Sequence, residues 1–275
     1  MIDQLKQFLE TFAPAQRMNA LREYLQWLIL KSIDVRHYRK SMDFVGGTAL
    51  RIIFSNGRFS EDLDFSIAQG EKVDFKKMSG DICSDLIRYG LDASVTPEKR
   101  PGAVSSCFFR FSNLLGPLGV VPHQSQKIAI KVELDHNPPS GAVSQEFFMN
   151  GPLMFSVNHY DIASLFAGKL HALFFRKYCK GRDYYDLLFY LRKKTRFNLA
   201  LLRNAAAQTH PGVDLNHTGD VLRMLKETLD KMDDEKIEKD LAPFLFNPEE
   251  ISFVKSRYLR MALDQNIEAG VYPEA

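Results

Sequence analysis

Cysteine is scarce in this chain. Cys83, Cys107 and Cys179 are the three among 275 residues, and their spacing fits neither a disulfide framework nor a metal-binding knuckle. That usage predicts a reducing compartment. No apolar run approaches the roughly 20 residues that a membrane-crossing helix needs. The first residues lack the charged, apolar and small-residue sections of a secretion signal, so a cytoplasmic protein without a membrane partner is expected. Net charge is small as well: 36 basic side chains against 34 acidic ones leave +2, too little to argue for nucleic acid by itself. The seven histidines (37, 123, 136, 159, 171, 210 and 217) show no HxxxH or other ligand spacing, and neither a GxSxG turn nor a cysteine–histidine signature occurs.

What the chain does have is a change of period. Residues 1–40 carry apolar side chains at helical spacing, among them Leu5, Phe8, Leu9 and Phe12, then Leu21, Tyr24, Leu25 and Leu28. From Met42 short strand-like runs alternate with helical ones. Asp43–Gly47 reads as a strand ending in a turn, Thr48–Phe54 as a helix, Leu63–Ile67 as a strand, and Val73–Tyr89 as a helix stopped by Gly90. Ser105–Phe111 and Lys127–Asp135 read as two further strands, separated by a Gly- and Pro-rich loop over 113–126. In the second of them Ile128, Ile130, Val132 and Leu134 alternate with Ala129, Lys131, Glu133 and Asp135, which predicts one apolar and one polar face. After about residue 155 the pattern is helical to the end. The expectation is an α+β fold: an N-terminal helical segment (1–40), a core with a mixed sheet (41–155) and a C-terminal helical bundle (156–275).

The chemistry concentrates in Phe44-Val-Gly-Gly-Thr-Ala-Leu-Arg51 and Arg58-Phe-Ser-Glu-Asp-Leu-Asp-Phe65. Backbone N–H groups of Gly46, Gly47 and Thr48 at a helix start form a phosphate cradle. Asp62 and Asp64 lie two apart on a strand and so share a face. Paired carboxylates repel unless a cation lies between them, and a divalent metal is the common solution. Leu63 and Phe65 mark the opposite face as buried, which separates this DxD from a solvated edge. Two-metal nucleotidyl transfer needs a third acid from a neighbouring strand on that face. Glu133 and Asp135 both qualify by alternation. Glu133 is preferred, because Asp135 borders the His136-Asn-Pro-Pro turn and is placed to cap it.

Two further readings concern Gly168-Lys-Leu-His-Ala-Leu-Phe-Phe-Arg-Lys177 and Gly181-Arg-Asp-Tyr-Tyr-Asp-Leu187. Lys169 lies on a helix rich in Leu and Phe, where a lysine either snorkels to water or binds a triphosphate as a point charge. Asp183 opens the next helix and either caps it or acts on a proton at the site. Asp186, one turn on, reads as structural. Arg58 either reaches triphosphate or neutralises acids, and Ser60 caps or bonds phosphate. The basic runs around Arg176–Arg182 and Arg192–Arg196 suit an RNA guide or an ordinary helix surface.

Together the three blocks, Gly46-Gly-Thr-Ala-Leu-Arg51, Arg58-Phe-Ser-Glu-Asp-Leu-Asp-Phe65 and Lys169 with Arg182-Asp-Tyr-Tyr-Asp-Leu187, resemble the AbiEii/AbiGii-type nucleotidyltransferases, toxin components of type IV toxin–antitoxin and abortive-infection systems. The resemblance covers roughly residues 40–195. It implies a DNA polymerase β-like nucleotidyltransferase fold, Asp62 and Asp64 as metal ligands, and Gly47 and Thr48 in the nucleotide-binding turn. It also implies Lys169 as the triphosphate lysine and Asp183 as the acid of the last motif. Mg²⁺ (two ions) or Mn²⁺, an NTP substrate, a tRNA 3′-end acceptor and an AbiEi-like antitoxin are its implied cofactors and partners. One departure is a longer gap between the glycine turn and the acidic pair than in the wider superfamily. Arg58 and Ser60 fall in that insertion, and the toxin-like subgroup shares them. A protein hydroxyl or small-molecule acceptor, a non-catalytic nucleotide-binding module and a metal-dependent phosphohydrolase are the competing readings.

Overall fold

The computed structural model describes residues 2–96, 102–120, 128–178 and 180–272. His123, Lys127 and Cys179, the end of the 113–126 loop and part of the 176–182 basic run lie outside these. The described residues group into two compact units.

The first unit comprises residues 1–53, 59–138 and 145–159. It opens with α1 (Ile2–Glu10) and α2 (Arg17–Val35), followed by β1 (Met42–Val45), α3 (Gly46–Phe54), β2 (Leu63–Ile67) and α4 (Phe75–Arg88). Then come β3 (Asp92–Val95), β4 (Val104–Ser112), β5 (Ile128–Asp135), β6 (Ser144–Asn150) and β7 (Met154–Tyr160). The strands form one mixed sheet in the order β3-β4-β5-β2-β1-β7-β6. β1 runs antiparallel to β2 and parallel to β7; β2 runs parallel to β5, and β4 antiparallel to β3 and β5. Strands β3, β6 and β7 were not expected from the sequence.

The period-two pattern of β5 folds as it reads. Ile128, Ile130, Val132 and Leu134 are buried, and on β4 they meet Phe111, Phe109, Cys107 and Ser105 in register. The N-terminal helices do not stand apart as the sequence suggested. They group with the sheet in one unit, α1 packing on α2 and α2 on α4 and β5, with Leu5, Leu9, Leu21, Leu25, Leu28 and Ile29 buried. A polar clamp joins α2 to α4: the buried Asp85 accepts from Ser32 Oγ (2.7 Å), Arg36 Nε (2.9 Å) and Arg36 Nη2 (2.6 Å). Asp74 caps α4 by accepting from the Lys77 N–H at 2.9 Å.

The second unit comprises residues 54–58, 139–144 and 160–275. It is built from α5 (Ile162–Phe175), α6 (Gly181–Arg192), α7 (Leu199–Thr209), α8 (Thr218–Asp230), α9 (Asp234–Leu241) and α10 (Ser256–Glu268). Asp161 and Asn198 cap α5 and α7 through their side-chain oxygens. Phe166 of α5 stacks on Tyr190 of α6 with centroids 4.2 Å apart. Asn266 of α10 donates to the Leu191 carbonyl at 2.9 Å. The short segment 54–58 is tied into this unit by a bridge from Arg58 to Leu245 and by the Phe246 N–H donating to the Gly57 carbonyl at 3.1 Å. Among the described residues, no helix is long and apolar enough to cross a membrane.

Candidate active site

The expected site residues fall into two clusters of charged groups, one in each unit. In the first, β1 ends at Val45 and the chain turns through Gly46, whose φ of +79° is costly for any residue with a Cβ. Gly46 is needed for a second reason: a Cβ there would overlap Oδ2 of Asp64. α3 then starts, and its first N–H groups are those a helix leaves without an intrahelical acceptor. The fully buried Thr48 donates its hydroxyl to the Asp62 carbonyl, so the helix start and the acidic segment are one hydrogen-bonded piece. From the other side, the buried Gln26 donates from Nε2 to the Ser60 and Glu61 carbonyls, both at 3.0 Å. Asp62 and Asp64 are thereby held on a fixed backbone with their side chains half-buried.

The parallel pairing of β2 with β5 sets Asp64 directly opposite Glu133, and Ser66 opposite Asp135. Both acids that the alternation offered thus stand on the strand beside β2. Asp135 accepts from the Asn137 N–H at 2.9 Å and caps the turn. Glu133, however, is engaged by Lys131, with Nζ 2.8 Å from Oε1. Burial works against the Lys131 ammonium, but the hydrogen bond to Glu133 and the charges of Glu133, Asp62 and Asp64 outweigh it and raise its pKa. Among the described residues, no three Asp, Glu, His or Cys side chains converge as they would around an ion. Of the predicted set, register aligns Asp64 with Glu133, whereas Asp62 stands just ahead of β2 rather than on it; Glu133 is tied to a lysine that sequence reasoning left without a role. The donor chemistry still suits a hard divalent cation, because Asp64 and Glu133 stand opposite one another on paired strands and the absent Gly46 Cβ leaves Asp64 its place.

Gly46→Ala is expected to abolish the site rather than merely weaken the fold. Alanine at that φ costs on the order of 1–2 kcal/mol, and the methyl must also displace the Asp64 carboxylate. We expect a modest fall in Tm by thermal unfolding together with near-complete loss of whatever chemistry the acidic face performs; a variant with full activity would refute the close approach.

In the second unit, Asp186 has no exposure and Arg58 only 2 %. Arg58 grips Asp186 with two bonds of 2.6 Å, from Nε and Nη2, while Asn56 Nδ2 adds a third at 2.7 Å. Lys169 of α5 lies between the two carboxylates of α6, 2.8 Å from Asp186 Oδ2 and 3.0 Å from Asp183 Oδ1. Arg176 completes the cluster, 2.9 Å from Asp183 Oδ2. Burial pushes both carboxyls up, yet Arg58 and Lys169 around Asp186, and Lys169 and Arg176 around Asp183, hold them below the ordinary carboxylate range. Burial likewise opposes the Lys169 ammonium, and the two aspartates more than restore it. Asp183 also accepts weakly from the Lys180 N–H at 3.4 Å, as a capping acid would.

This places the remaining expected residues. Arg58, expected to reach phosphate or to neutralise acids, is sealed in the interior, and the acid it grips is Asp186. Lys169 does not snorkel, for its side chain is 14 % exposed and paired. Ser60 offers its carbonyl to Gln26. Gln26, Asn56 and Lys131 were missed. Only Lys131 left a trace in the sequence, standing two positions from Glu133 on the same strand face.

The profile of one protein family, described as "Nucleotidyl transferase AbiEii toxin, Type IV TA system", matches residues 28–266. Among solved structures, JHP933 from Helicobacter pylori superposes with a TM-score of 0.56 at 18 % identity, covering 92 % of this chain and 95 % of that one. A "putative nucleotidyltransferase from H. pylori" superposes with a TM-score of 0.57 at 20 % identity, covering 90 % and 96 %. At such identity these two are evidence of a shared fold. No curated protein matches the chain.

Proposed function

The chain belongs to the AbiEii nucleotidyltransferase toxin family of type IV toxin–antitoxin systems, and from that premise we propose that it transfers a nucleoside monophosphate from an NTP to the 3′ end of tRNA, blocking translation and growth. The observation that carries this reading is the hydrogen-bonded piece formed by the Gly46 turn, the α3 start and the Asp62/Asp64 pair, with Glu133 in register beside Asp64. In the proposed reaction an acceptor hydroxyl oxygen bonds to the α-phosphorus. The bond from that phosphorus to the bridging oxygen of the β-phosphate breaks, pyrophosphate leaves with the electron pair, and the hydroxyl proton is lost to a base.

Asp62 and Asp64, with Glu133 as third acid, would hold Mg²⁺ or Mn²⁺, whose chemical contribution is to offset charge on the phosphates and lower the acidity barrier of the acceptor. The N–H groups of Gly46, Gly47 and Thr48 would cradle phosphate oxygens at the helix start. Lys169 and Asp183 are proposed for the same reaction, as triphosphate contact and last-motif acid, with Arg58 contributing by holding Asp186 in place. Ser60 would line the nucleotide side of the acidic segment. Arg192, Lys193, Lys194 and Arg196 are exposed on the second unit, which supports a polyanionic acceptor. NTP and tRNA as reactants favour the cytoplasm, and a cognate antitoxin is the expected silencing partner.

The test is incubation of the purified protein with Mg²⁺, each α-labelled NTP in turn, and separated tRNA, protein and small-molecule pools. Label on tRNA that is released with the 3′-terminal nucleotide is the expected result. Label confined to protein or a small molecule would replace the acceptor, and free nucleotide or phosphate without any labelled acceptor would indicate hydrolysis.

A further inference from the structure

The lysine on the acidic face calls for its own account. Lys131 and Glu133 are two apart on β5, so they share the strand face that β2 completes with Asp64. Lys131 Nζ lies 2.8 Å from Glu133 Oε1, with the two side chains 31 % and 29 % exposed. The charges of Asp62 and Asp64 act on the same ammonium. An ion pair this open to water adds little to stability. It does place an ammonium on the third carboxylate first, because Oε1 of Glu133 already accepts from Lys131 at 2.8 Å and an ion drawn to that oxygen must compete for it.

We propose that Lys131 is an internal stand-in for the divalent cation: it occupies Glu133 when the ion is absent and competes with the ion for the acidic face. The proposal rests on the nucleotidyltransferase reading of Asp62 and Asp64. Two physical effects add. The ion must draw Glu133 away from Lys131, and it must approach a fixed positive charge on the same strand. The consequence is a higher threshold of free divalent ion for assembling the site, set by a residue that is not itself a ligand. Once Glu133 turns to the ion, the released ammonium remains on the face where the triphosphate would lie.

The experiment measures ion binding to the full chain without nucleotide, by calorimetry with Mg²⁺ and by electron paramagnetic resonance with Mn²⁺. Lys131→Gln removes the charge and leaves a polar side chain one atom shorter, and we expect it to tighten ion binding about three- to tenfold. Lys131→Arg, which retains the charge, should bind as wild type does. Asp62→Asn/Asp64→Asn serves as the reference for the site itself and should bind no ion there. If that double variant loses the ion while Lys131→Gln binds it equally or more weakly, the stand-in role is overturned and the metal site stands. If the double variant binds as wild type does, the acidic face is not the metal site, and both readings fall. Thermal unfolding of each variant confirms that a changed affinity does not come from a lost fold.

Discussion

Asparagine at Asp64 is expected to lower nucleotide transfer by about a thousandfold or more, which at 1.36 kcal/mol per decade corresponds to about 4 kcal/mol of lost transition-state stabilisation. The amide is isosteric with the carboxylate, so it still fits beside Gly46, where no Cβ interferes. What it loses is the negative charge and one oxygen acceptor. Opposite it stands Glu133, already bonded to Lys131, so the face cannot recover the charge from its neighbour. Asp62→Asn should behave in the same way, since its backbone is held by Thr48 whatever its side chain carries. Both positions are half-buried and neither supports the core, so unfolding free energies should stay within about 1 kcal/mol of wild type. Asp135→Asn is the matched control on the same strand face. Its carboxylate caps the Asn137 turn, a role asparagine can fill, and activity should change only a few-fold. Labelled-nucleotide incorporation measures all three. Wild-type turnover in Asp64→Asn would remove the acidic pair from the reaction.

That contrast between Asp64 and Asp135 was already visible in the chain, because everything it depends on is local. Strand β2 was read from Leu63 to Ile67 as it occurs, and β5 declared its buried face by strict alternation. The strands that escaped notice lack such a signature. β3 has four residues. β6 keeps Ser144, Gln145, Glu146 and Phe148 all exposed and so shows no apolar face. β7 does alternate, with Phe155, Val157 and His159 inward, but a buried histidine interrupts the apolar set and an exposed Met154 confuses the other. Of the ion pairs in the two clusters, only one left a local trace in the sequence, and it was not read as a pair. Lys131 and Glu133 are two residues apart, whereas Arg58 and Asp186 are separated by 128 and meet through tertiary structure that no spacing announces. Hence the two readings of Arg58, at phosphate or against acids, could not be separated, and the basic partner of Asp186 could not be named.

Replacing Asp186 by alanine should therefore be the most destabilising of the polar substitutions, at about 3–5 kcal/mol, because it leaves buried cations without their counter-charge. Asp186 is fully buried and accepts two bonds from Arg58, one from Asn56 and an ion pair from Lys169. Its removal leaves Arg58, 2 % exposed, without the carboxylate that both arms of its guanidinium grip. Lys169→Met should cost less, since Asp186 then keeps Arg58 and Asp183 keeps Arg176. The pH dependence follows from the directions of the shifts. Asp183 and Asp186 have folded pKa values below the ordinary 3.8, so the stability they confer is complete above about pH 4. It is lost as pH falls through their lowered folded values. Arg58 and Lys169 are raised above the ordinary values of their side chains by the aspartates beside them, so their contribution is complete at neutral pH and declines only in strong alkali. Urea unfolding followed by far-ultraviolet circular dichroism between pH 3 and 7 should show a steep acid limb below pH 4 in the wild type and a shallower one in Asp186→Ala. If the variant unfolds within 1 kcal/mol of wild type at pH 7, the cluster does not hold the second unit together, and Arg58 must find its counter-charge elsewhere.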